Sequence, residues 1–132
     1  MNGEQKMVRE FHRTFEIDEL DKPGIPSERI RDLRISLLDE EYLKELRPSL
    51  LEGDLLGIAD GLADLLYVVY GTALAYGLDL EPIFQEVHRS NMSKVGGYKR
   101  EDGKWIKPST YSPANLRPLL EWQRESAGAP QA

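Results

Sequence analysis

The sequence predicts an all-α fold, a four-helix-bundle-like domain with a C-terminal loop or hairpin tail. Apolar residues recur at helical spacing in four segments, N-cap residues precede two of them, and proline or glycine separates them. With 132 residues the chain has the length of a single domain. We expect one domain over 1–132, with a helical core at about 4–95 and an ordered tail at about 96–125.

The first two predicted helices lie on either side of a proline-rich break. Apolar residues at near-helical spacing predict the first helix over 4–18, and residues 22–26 interrupt it. Ser27 has the place of an N-cap ahead of the second helix. Because proline disfavours helical geometry in the residue before it, Pro48 predicts that this helix ends near Leu46.

The third predicted helix runs from near Asp54 to about Ala75 and is apolar nearly all round, which is typical of the buried helix of a bundle. Its glycines lower helix propensity by ~1 kcal/mol each, so we expect them at close helix contacts. Residues 65–69 alone also allow a β-strand, but the length of the apolar pattern favours a helix. Gly77 ends this helix, and Asp79 caps a fourth one with Pro82 in its first turn.

The C-terminal part of the chain has a different character. Asp102 and Gly103 form a typical two-residue turn between short stretches at 99–100 and 105–106, which predicts a hairpin or an ordered loop. From Pro108 onward the composition indicates a tail packed over the bundle. Residues 128–132 are expected to be loose.

Composition and charge exclude several classes of protein. The net charge of -6 is opposite to the lysine and arginine surplus that nucleic-acid binding requires. The first ten residues are polar, unlike a signal peptide, and no apolar run approaches the roughly 20 residues that span a bilayer. Without cysteine, the chain has no disulfide or thiolate chemistry. We expect a cytoplasmic protein without nucleic-acid or membrane partners.

The second predicted helix carries four acidic residues within seven positions, Asp39, Glu40, Glu41 and Glu45. Glu41 and Glu45 are i,i+4 neighbours on one helix face, where like charges repel unless a cation lies between them. Lys44 offers partial relief of that repulsion. Two interpretations stay open at this point: an acidic face in contact with water, or one half of a metal site.

Two aspartates, Asp60 and Asp64, lie one turn apart in the most apolar part of the chain. Because an unpaired carboxylate is almost never fully buried, this pair requires compensating cations. No lysine or arginine occurs between residues 53 and 80. One alternative is salt bridges to arginines of the second helix, Arg29, Arg31 and Arg34. The other is a divalent ion shared with glutamates of that helix, Glu40, Glu41 and Glu45.

The available ligand types favour a hard cation. The chain has no cysteine and two histidines, so oxygen ligands predict Mg²⁺ or Mn²⁺ rather than Zn²⁺. Proteins commonly hold Mg²⁺ through a few carboxylates together with substrate phosphates. An acidic bundle of this kind therefore suits a phosphorylated small molecule.

These features together resemble the MazG-like and phosphoribosyl-ATP pyrophosphohydrolase superfamily over most of residues 29–107. In that superfamily one helix carries Glu-Glu-x-x-Glu and the next carries Glu-x-x-Asp. The segment LLDEE at 37–41 is similar to the first motif, and IADGLAD at 58–64 is similar to the second. The segments HRSNMSK at 88–94 and KREDGK at 99–104 look like the C-terminal motif of one subgroup.

The sequence departs from the first acidic motif at one position. With Glu40 and Glu41 aligned on the motif, its third glutamate falls on Lys44. Glu45 is the neighbouring residue and would substitute after a small rotation of the helix.

The second acidic motif shows a similar departure. With Asp64 aligned as the aspartate of the motif, its glutamate falls on Gly61, and Asp60 is the neighbouring carboxylate. Glu41 and Asp64 therefore match the superfamily best.

The resemblance implies a MazG-type fold and Mg²⁺-dependent hydrolysis of a nucleoside triphosphate to the monophosphate and pyrophosphate, with Mn²⁺ able to substitute. The implied metal ligands are Glu41, Glu45, Asp60 and Asp64. The implied catalytic residues are Glu40 and Glu41, and Glu40 is the candidate to orient or deprotonate the attacking water. Candidates for substrate contacts are Arg89, Asn91 and Lys94, although Arg89 and Lys94 are also typical cations of a helix C-terminus. By resemblance, dUTP or another pyrimidine or modified deoxynucleotide is a plausible substrate.

Two other functions stay open. The replacements at Lys44 and Gly61 are compatible with a catalytically weakened module that binds a nucleotide as a sensor. A purely structural bundle with its acids in salt bridges is the third interpretation. Because the third helix is more apolar than four helices of this size can cover, we expect a homodimer or homotetramer.

Overall fold

A computed structural model describes residues 1–126 and is mostly helical, which confirms the all-α prediction. The helices are α1 (Gly3–Thr14), α2 (Glu28–Asp39), a π-helical segment (Glu40–Leu46), α3 (Arg47–Glu52), α4 (Leu55–Ala75), α5 (Leu80–Met92) and α6 (Arg117–Ser126). A small antiparallel sheet, β1 (Tyr98–Lys99) and β2 (Trp105–Ile106), lies between α5 and α6 in the sequence. The predicted loose terminus at 128–132 lies outside the described residues.

The second predicted helix begins where expected but does not end near Leu46. The Ser27 hydroxyl accepts a hydrogen bond from a backbone N–H in the first turn of α2, as an N-cap does. The backbone then stays helical from α2 through the π-helical segment and α3, so that prediction is wrong. Pro48 directly follows the π-helical segment, where the regular i→i−4 hydrogen bonding that a proline would break is already interrupted.

Helix α4 confirms the third predicted helix and excludes the strand alternative. The Asp54 side chain caps its N-terminus by accepting from the Gly57 N–H at 3.2 Å. At its C-terminus the Gly77 N–H donates to Leu74 at 3.0 Å, and the next N–H donates to Ala73 at 2.8 Å. This bonding pattern with a left-handed glycine is a Schellman motif, so Gly77 ends the helix as predicted.

The expectation that α4 is buried all round is wrong for the single chain. Helices α1, α2, α3 and the π-helical segment pack against one side of α4. On its other sides large apolar residues stay exposed, with Leu55 at 78% and Leu56 at 82%. Contrary to expectation, α4 is long and apolar enough to cross a membrane. Core helices of soluble proteins can have the same length and composition.

Two buried glutamines hold the turn between α4 and α5. Gln5 is 0% exposed, donates to the Leu78 carbonyl at 2.7 Å and accepts from the Leu80 N–H at 3.0 Å. Gln123 of α6 makes a matching pair of bonds with the Asp79 N–H and carbonyl, at 3.1 and 2.9 Å. The Asp79 side chain caps α5 as predicted, whereas α6 itself was not predicted within the tail.

The hairpin is present, but its connection is longer than expected. Lys99 pairs with Trp105, so residues 100–104 form the loop instead of a two-residue turn. Gly103 has a φ of +90°, and its N–H donates to the Arg100 carbonyl at 2.9 Å. Gly103 supplies a left-handed backbone conformation, as expected, but within the longer loop over 100–104 and not within a two-residue turn.

Candidate functional site

The candidate site lies where the π-helical segment crosses α4. A Cβ atom built on Gly61 would lie 3.1 Å from the Leu46 Cα and 3.2 Å from its Cβ. The absence of a side chain at Gly61 therefore lets the two helices approach closely, which confirms the close contact expected for this glycine. A larger side chain here, such as the glutamate of the second acidic motif, would require Leu46 to move by a few tenths of an ångström.

Four carboxylates lie near enough to Glu41 at this crossing for their charges to act on it. Burial makes the largest contribution in raising the pKa of Glu41 above its ordinary value, and neighbouring negative charges raise it further. In decreasing order of effect these neighbours are Asp64, Glu45, Glu40 and Asp60. The structure thus brings together every carboxylate that the sequence singled out for metal binding or catalysis, and Lys44 is not among the charges that act on Glu41.

The two aspartates of α4 are not buried in the single chain. Asp60 and Asp64 both have exposed side chains, because the side of α4 that carries them is only partly covered. Burial therefore does not force these residues to bind a cation in the isolated chain. The negative charges that act on Glu41 still favour a cation nearby, because they repel one another.

The salt-bridge alternative does not occur. Each arginine of α2 has a different partner: Arg29 pairs with Asp18 at 2.8 Å, Arg31 with Asp32 at 2.9 Å, and Arg34 donates to Thr72 Oγ1 at 3.1 Å and to the Val68 carbonyl at 3.0 Å. Throughout residues 1–126, no salt bridge reaches Asp60 or Asp64. Among the described residues, no salt bridge therefore compensates the carboxylates of this cluster.

The donor set fits a hard divalent cation. All donors are carboxylate oxygens, which Mg²⁺ and Mn²⁺ prefer. In the described part of the chain, no three acidic or imidazole side chains already stand in position to hold a metal ion. Glu45, Asp60 and Asp64 are exposed, so their side chains are free to rotate toward a shared ion. The site is chemically suited to a cation without being pre-assembled around one.

The predicted substrate-binding residues lie elsewhere in the chain, at the C-terminal end of α5. Arg89 donates to both carboxylate oxygens of Glu86 and to the Pro113 carbonyl at 3.2 Å. Asn91 is exposed, and the Lys94 Nζ lies 6.0 Å from the centre of the Tyr111 ring. Helix α5 is not among the helices that pack extensively on α4 or the π-helical segment. The single chain therefore does not bring these residues to the carboxylate cluster.

Sequence analysis missed a tyrosine beside these cations. The hydroxyl groups of Ser90 and Tyr111 are 3.4 Å apart, and the Lys107 Nζ lies 4.4 Å from the Tyr111 ring centre. The hydrogen bond with Ser90 makes the largest contribution in lowering the pKa of Tyr111, and Lys107 and Lys94 lower it further. The sequence predicted only that the tail from Pro108 onward packs over the bundle. No regular spacing of residues indicated that Tyr111 contacts α5.

A second polar group missed by the sequence is buried between α1, α2 and α4. His12 is 2% exposed and Arg34 is 5% exposed, and both lie against Gly71. The His12 Nδ1 has no hydrogen-bond partner in the described chain. Burial makes the largest contribution in lowering the pKa of His12, and the Arg34 charge lowers it further. Both effects favour the neutral form of the imidazole beside the buried guanidinium of Arg34.

The helical fold and the carboxylates on two crossing helices define the class of protein: an all-α protein with a candidate site for a divalent cation. The model of the phosphoribosyl-ATP pyrophosphohydrolase family matches residues 8–91, and the chain belongs to this family, within the MazG-like all-α nucleoside triphosphate pyrophosphatase superfamily. Family membership points to a pyrophosphohydrolase that acts on a nucleotide. Members of the family generally depend on divalent metal ions and are typically soluble. A comparison with curated proteins found no match.

Proposed function

We propose that this protein is a Mg²⁺-dependent nucleoside triphosphate pyrophosphohydrolase that releases the nucleoside monophosphate and pyrophosphate. The observation that carries the proposal is the presence of four carboxylates whose charges act on Glu41 in a chain of this family. By resemblance, the substrate is dUTP or another pyrimidine or modified deoxynucleotide. The corresponding role is removal of unwanted nucleotides from the cytoplasmic pool.

The proposed roles follow from position. Glu41, Glu45, Asp60 and Asp64 hold the metal, with Mn²⁺ able to replace Mg²⁺. Bound there, the ion neutralises phosphate charge and makes a bound water more acidic. Glu40 lies on the same helical segment as Glu41, where it can orient or deprotonate the attacking water. Burial and the neighbouring carboxylates raise the pKa of Glu41, so a nearby cation would stabilise its charged form.

The test is a screen of ribo- and deoxyribonucleoside triphosphates with Mg²⁺ for pyrophosphate release. The Asp64→Asn variant removes one charge from the cluster, and we expect it to lower turnover by at least about tenfold, the scale on which even indirect partners of metal sites act. Asp39→Asn is the matched control, because Asp39 is exposed and is not among the charges that act on Glu41. Pyrophosphate release no greater than that of Asp64→Asn for every nucleotide would refute the proposal.

The second candidate function is a nucleotide sensor of the same fold. The observation that favours it is Gly61, which packs closely on Leu46 and supplies no carboxylate where the second acidic motif has a glutamate. A sensor predicts tight binding of Mg²⁺ and a nucleotide in calorimetry without any release of pyrophosphate. Turnover in the screen decides against it.

We also propose that the protein assembles as a homodimer or homotetramer. The support is the exposed apolar surface of α4 together with exposed apolar residues of α5, namely Phe84, Val87 and Met92. Assembly would also allow the cations at the end of α5 to reach the carboxylates of another copy. Sedimentation at micromolar concentration tests the assembly, and a species of only 15.0 kDa would contradict it.

Shared sites can be tested separately by mixing variants. Asp64→Asn removes a carboxylate, and Arg89→Ala removes a cation at the end of α5. If one copy supplies the carboxylate and another supplies the cation, mixed oligomers of these two variants regain part of the turnover that each variant has lost. If both groups act within the same copy, mixing restores nothing.

A further inference from the structure

The helix that carries the glutamates contains one turn of unusual geometry. Within the π-helical segment the Arg47 N–H donates to the Tyr42 carbonyl, five residues earlier, instead of four as in an α-helix. The α2 and α3 helices on either side have ordinary α geometry. A single turn of this kind accommodates one extra residue, and such turns are frequent at functional sites.

The burial pattern locates the extra residue between Glu41 and Leu46. In α2 the buried residues Ile30 and Arg34 are four positions apart, as on one face of an α-helix. Glu41 is half-buried on the continuation of this face, seven positions after Arg34. The next fully buried residue is Leu46, five positions after Glu41, where an α-helix would place it three or four positions later.

Leu46 packs directly on Gly61 of α4. Its backbone therefore marks the inward face of the segment at the crossing. Glu45 directly precedes this buried leucine, and Lys44 lies one residue further back. Without the extra residue, the residue before the buried leucine would lie three positions after Glu41. The first acidic motif has its third glutamate at that same spacing from its second.

We propose that the π turn places Glu45 at the position of the third glutamate of the metal site and moves Lys44 away from it. The inference rests on the proposed function, because it concerns the same cation. The apparent replacement of the third glutamate by Lys44 is then explained by an insertion of one residue. The π turn accommodates the inserted residue, and Glu45 retains the role of the glutamate. Lys44 is exposed, whereas Leu46 two positions later is buried, as this arrangement requires.

The test compares Mn²⁺ binding, without nucleotide, by the whole protein and three variants, using calorimetry or the electron paramagnetic resonance of free Mn²⁺. Glu45→Gln should weaken Mn²⁺ affinity by at least about tenfold. Lys44→Gln, the matched control, should change it by less than about twofold, since screened surface charges contribute little. Lys44→Glu should give no larger gain than Lys44→Gln. Both side chains are exposed, so these substitutions leave the fold intact.

A plain α-helical arrangement predicts the opposite result. Lys44 would then face the cation, so Lys44→Glu would strengthen Mn²⁺ binding and Glu45→Gln would leave it unchanged. Either of these two outcomes overturns the inference.

Deletion of Lys44 provides an independent test of the extra residue. The deletion is made together with Pro48→Ala, because proline would clash with the preceding turn once the segment becomes α-helical. The Pro48→Ala single variant is the control. Removal of the extra residue should preserve Mn²⁺ affinity within about threefold of that control, because Glu45 and Leu46 keep their places. A loss as large as that of Glu45→Gln would contradict the inference.

Failure of the inference and failure of the proposed function are distinguishable. If the unmodified protein binds Mn²⁺ and releases pyrophosphate but Glu45→Gln behaves like Lys44→Gln, only the role of Glu45 is wrong. If the unmodified protein binds no Mn²⁺ and hydrolyses no nucleotide, both are wrong.

Discussion

Two glycines with the same backbone conformation allow a steric effect to be measured separately from a conformational one. Gly53 and Gly77 have φ angles of +71° and +67°, both in the left-handed region. A Cβ atom at Gly53 would meet nothing within 4 Å. At Gly77 it would overlap the carbonyl group of Lys22 and lie 3.0 Å from the Pro23 nitrogen. Alanine at each position therefore incurs the same backbone penalty, but only one of them meets the neighbouring loop.

The expected loss of stability differs accordingly. The left-handed conformation costs about 1–2 kcal/mol for alanine at either position. At Gly77 the loop over 20–24 must also move, and it is held by hydrogen bonds from the Leu20 N–H to Leu74 and from the Gly24 N–H to Tyr76, each 3.1 Å long. Loss of two such bonds adds about 2 kcal/mol. We therefore expect Gly77→Ala to be about 2 kcal/mol less stable than Gly53→Ala.

Urea unfolding of both variants, followed by circular dichroism, measures this difference directly. For a chain of this length, 2 kcal/mol corresponds to a difference in Tm of about 8 °C. The same m-value in both variants would show that the denatured state is unaffected. An equal loss of stability in the two variants would mean that the loop does not contact Gly77 as described.

Three further predictions concern stability and ligand binding. Because the pKa of His12 lies below its ordinary value of 6.5, the unfolded chain binds more protons below that pH, so stability should fall as the pH decreases from 6.5 through the pKa of the folded state. His12→Asn should flatten that part of a plot of unfolding free energy against pH, and an unchanged slope would contradict the assignment. Gln5→Met leaves the Leu78 carbonyl and the Leu80 N–H without their partners and should lower the free energy of unfolding in urea by about 2–4 kcal/mol. Gln85→Met, at an exposed position, should leave it almost unchanged. Similar losses in the two variants would show that the buried hydrogen bonds of Gln5 do not stabilise the fold. Mg²⁺ or Mn²⁺ should raise the Tm of the unmodified protein, because a ligand bound only by the folded state stabilises it, and should raise that of Asp64→Asn much less; equal shifts would place the cation elsewhere.

The helix boundaries that the sequence predicted correctly depend on local interactions. Ser27, Asp54 and Asp79 each accept a hydrogen bond from a backbone N–H two or three residues further along the chain. Gly77 ends α4 through bonds to residues of the preceding turn. Signals of this kind lie within one helical turn, so the sequence alone contains them.

The boundaries that the sequence did not predict depend on distant contacts. The extra residue between Glu41 and Leu46 becomes visible only when the buried positions are known, because the contact of Leu46 with Gly61 determines which face is inward. Helix α6 is anchored by the bonds of Gln123 to Asp79, 44 positions earlier in the chain. Neither contact leaves a local pattern in the sequence.

The sequence by itself determined which side chains are the candidates for the chemistry, namely acidic residues on two neighbouring helices in a chain without cysteine. The tertiary structure alone decided that these acids surround Glu41, that the arginines of α2 have other partners, and that Arg89 and Lys94 lie apart from the cluster in one chain. Residue type is a property of each position, whereas the distance between two helices depends on how their side chains pack. Here a glycine against a leucine sets that distance.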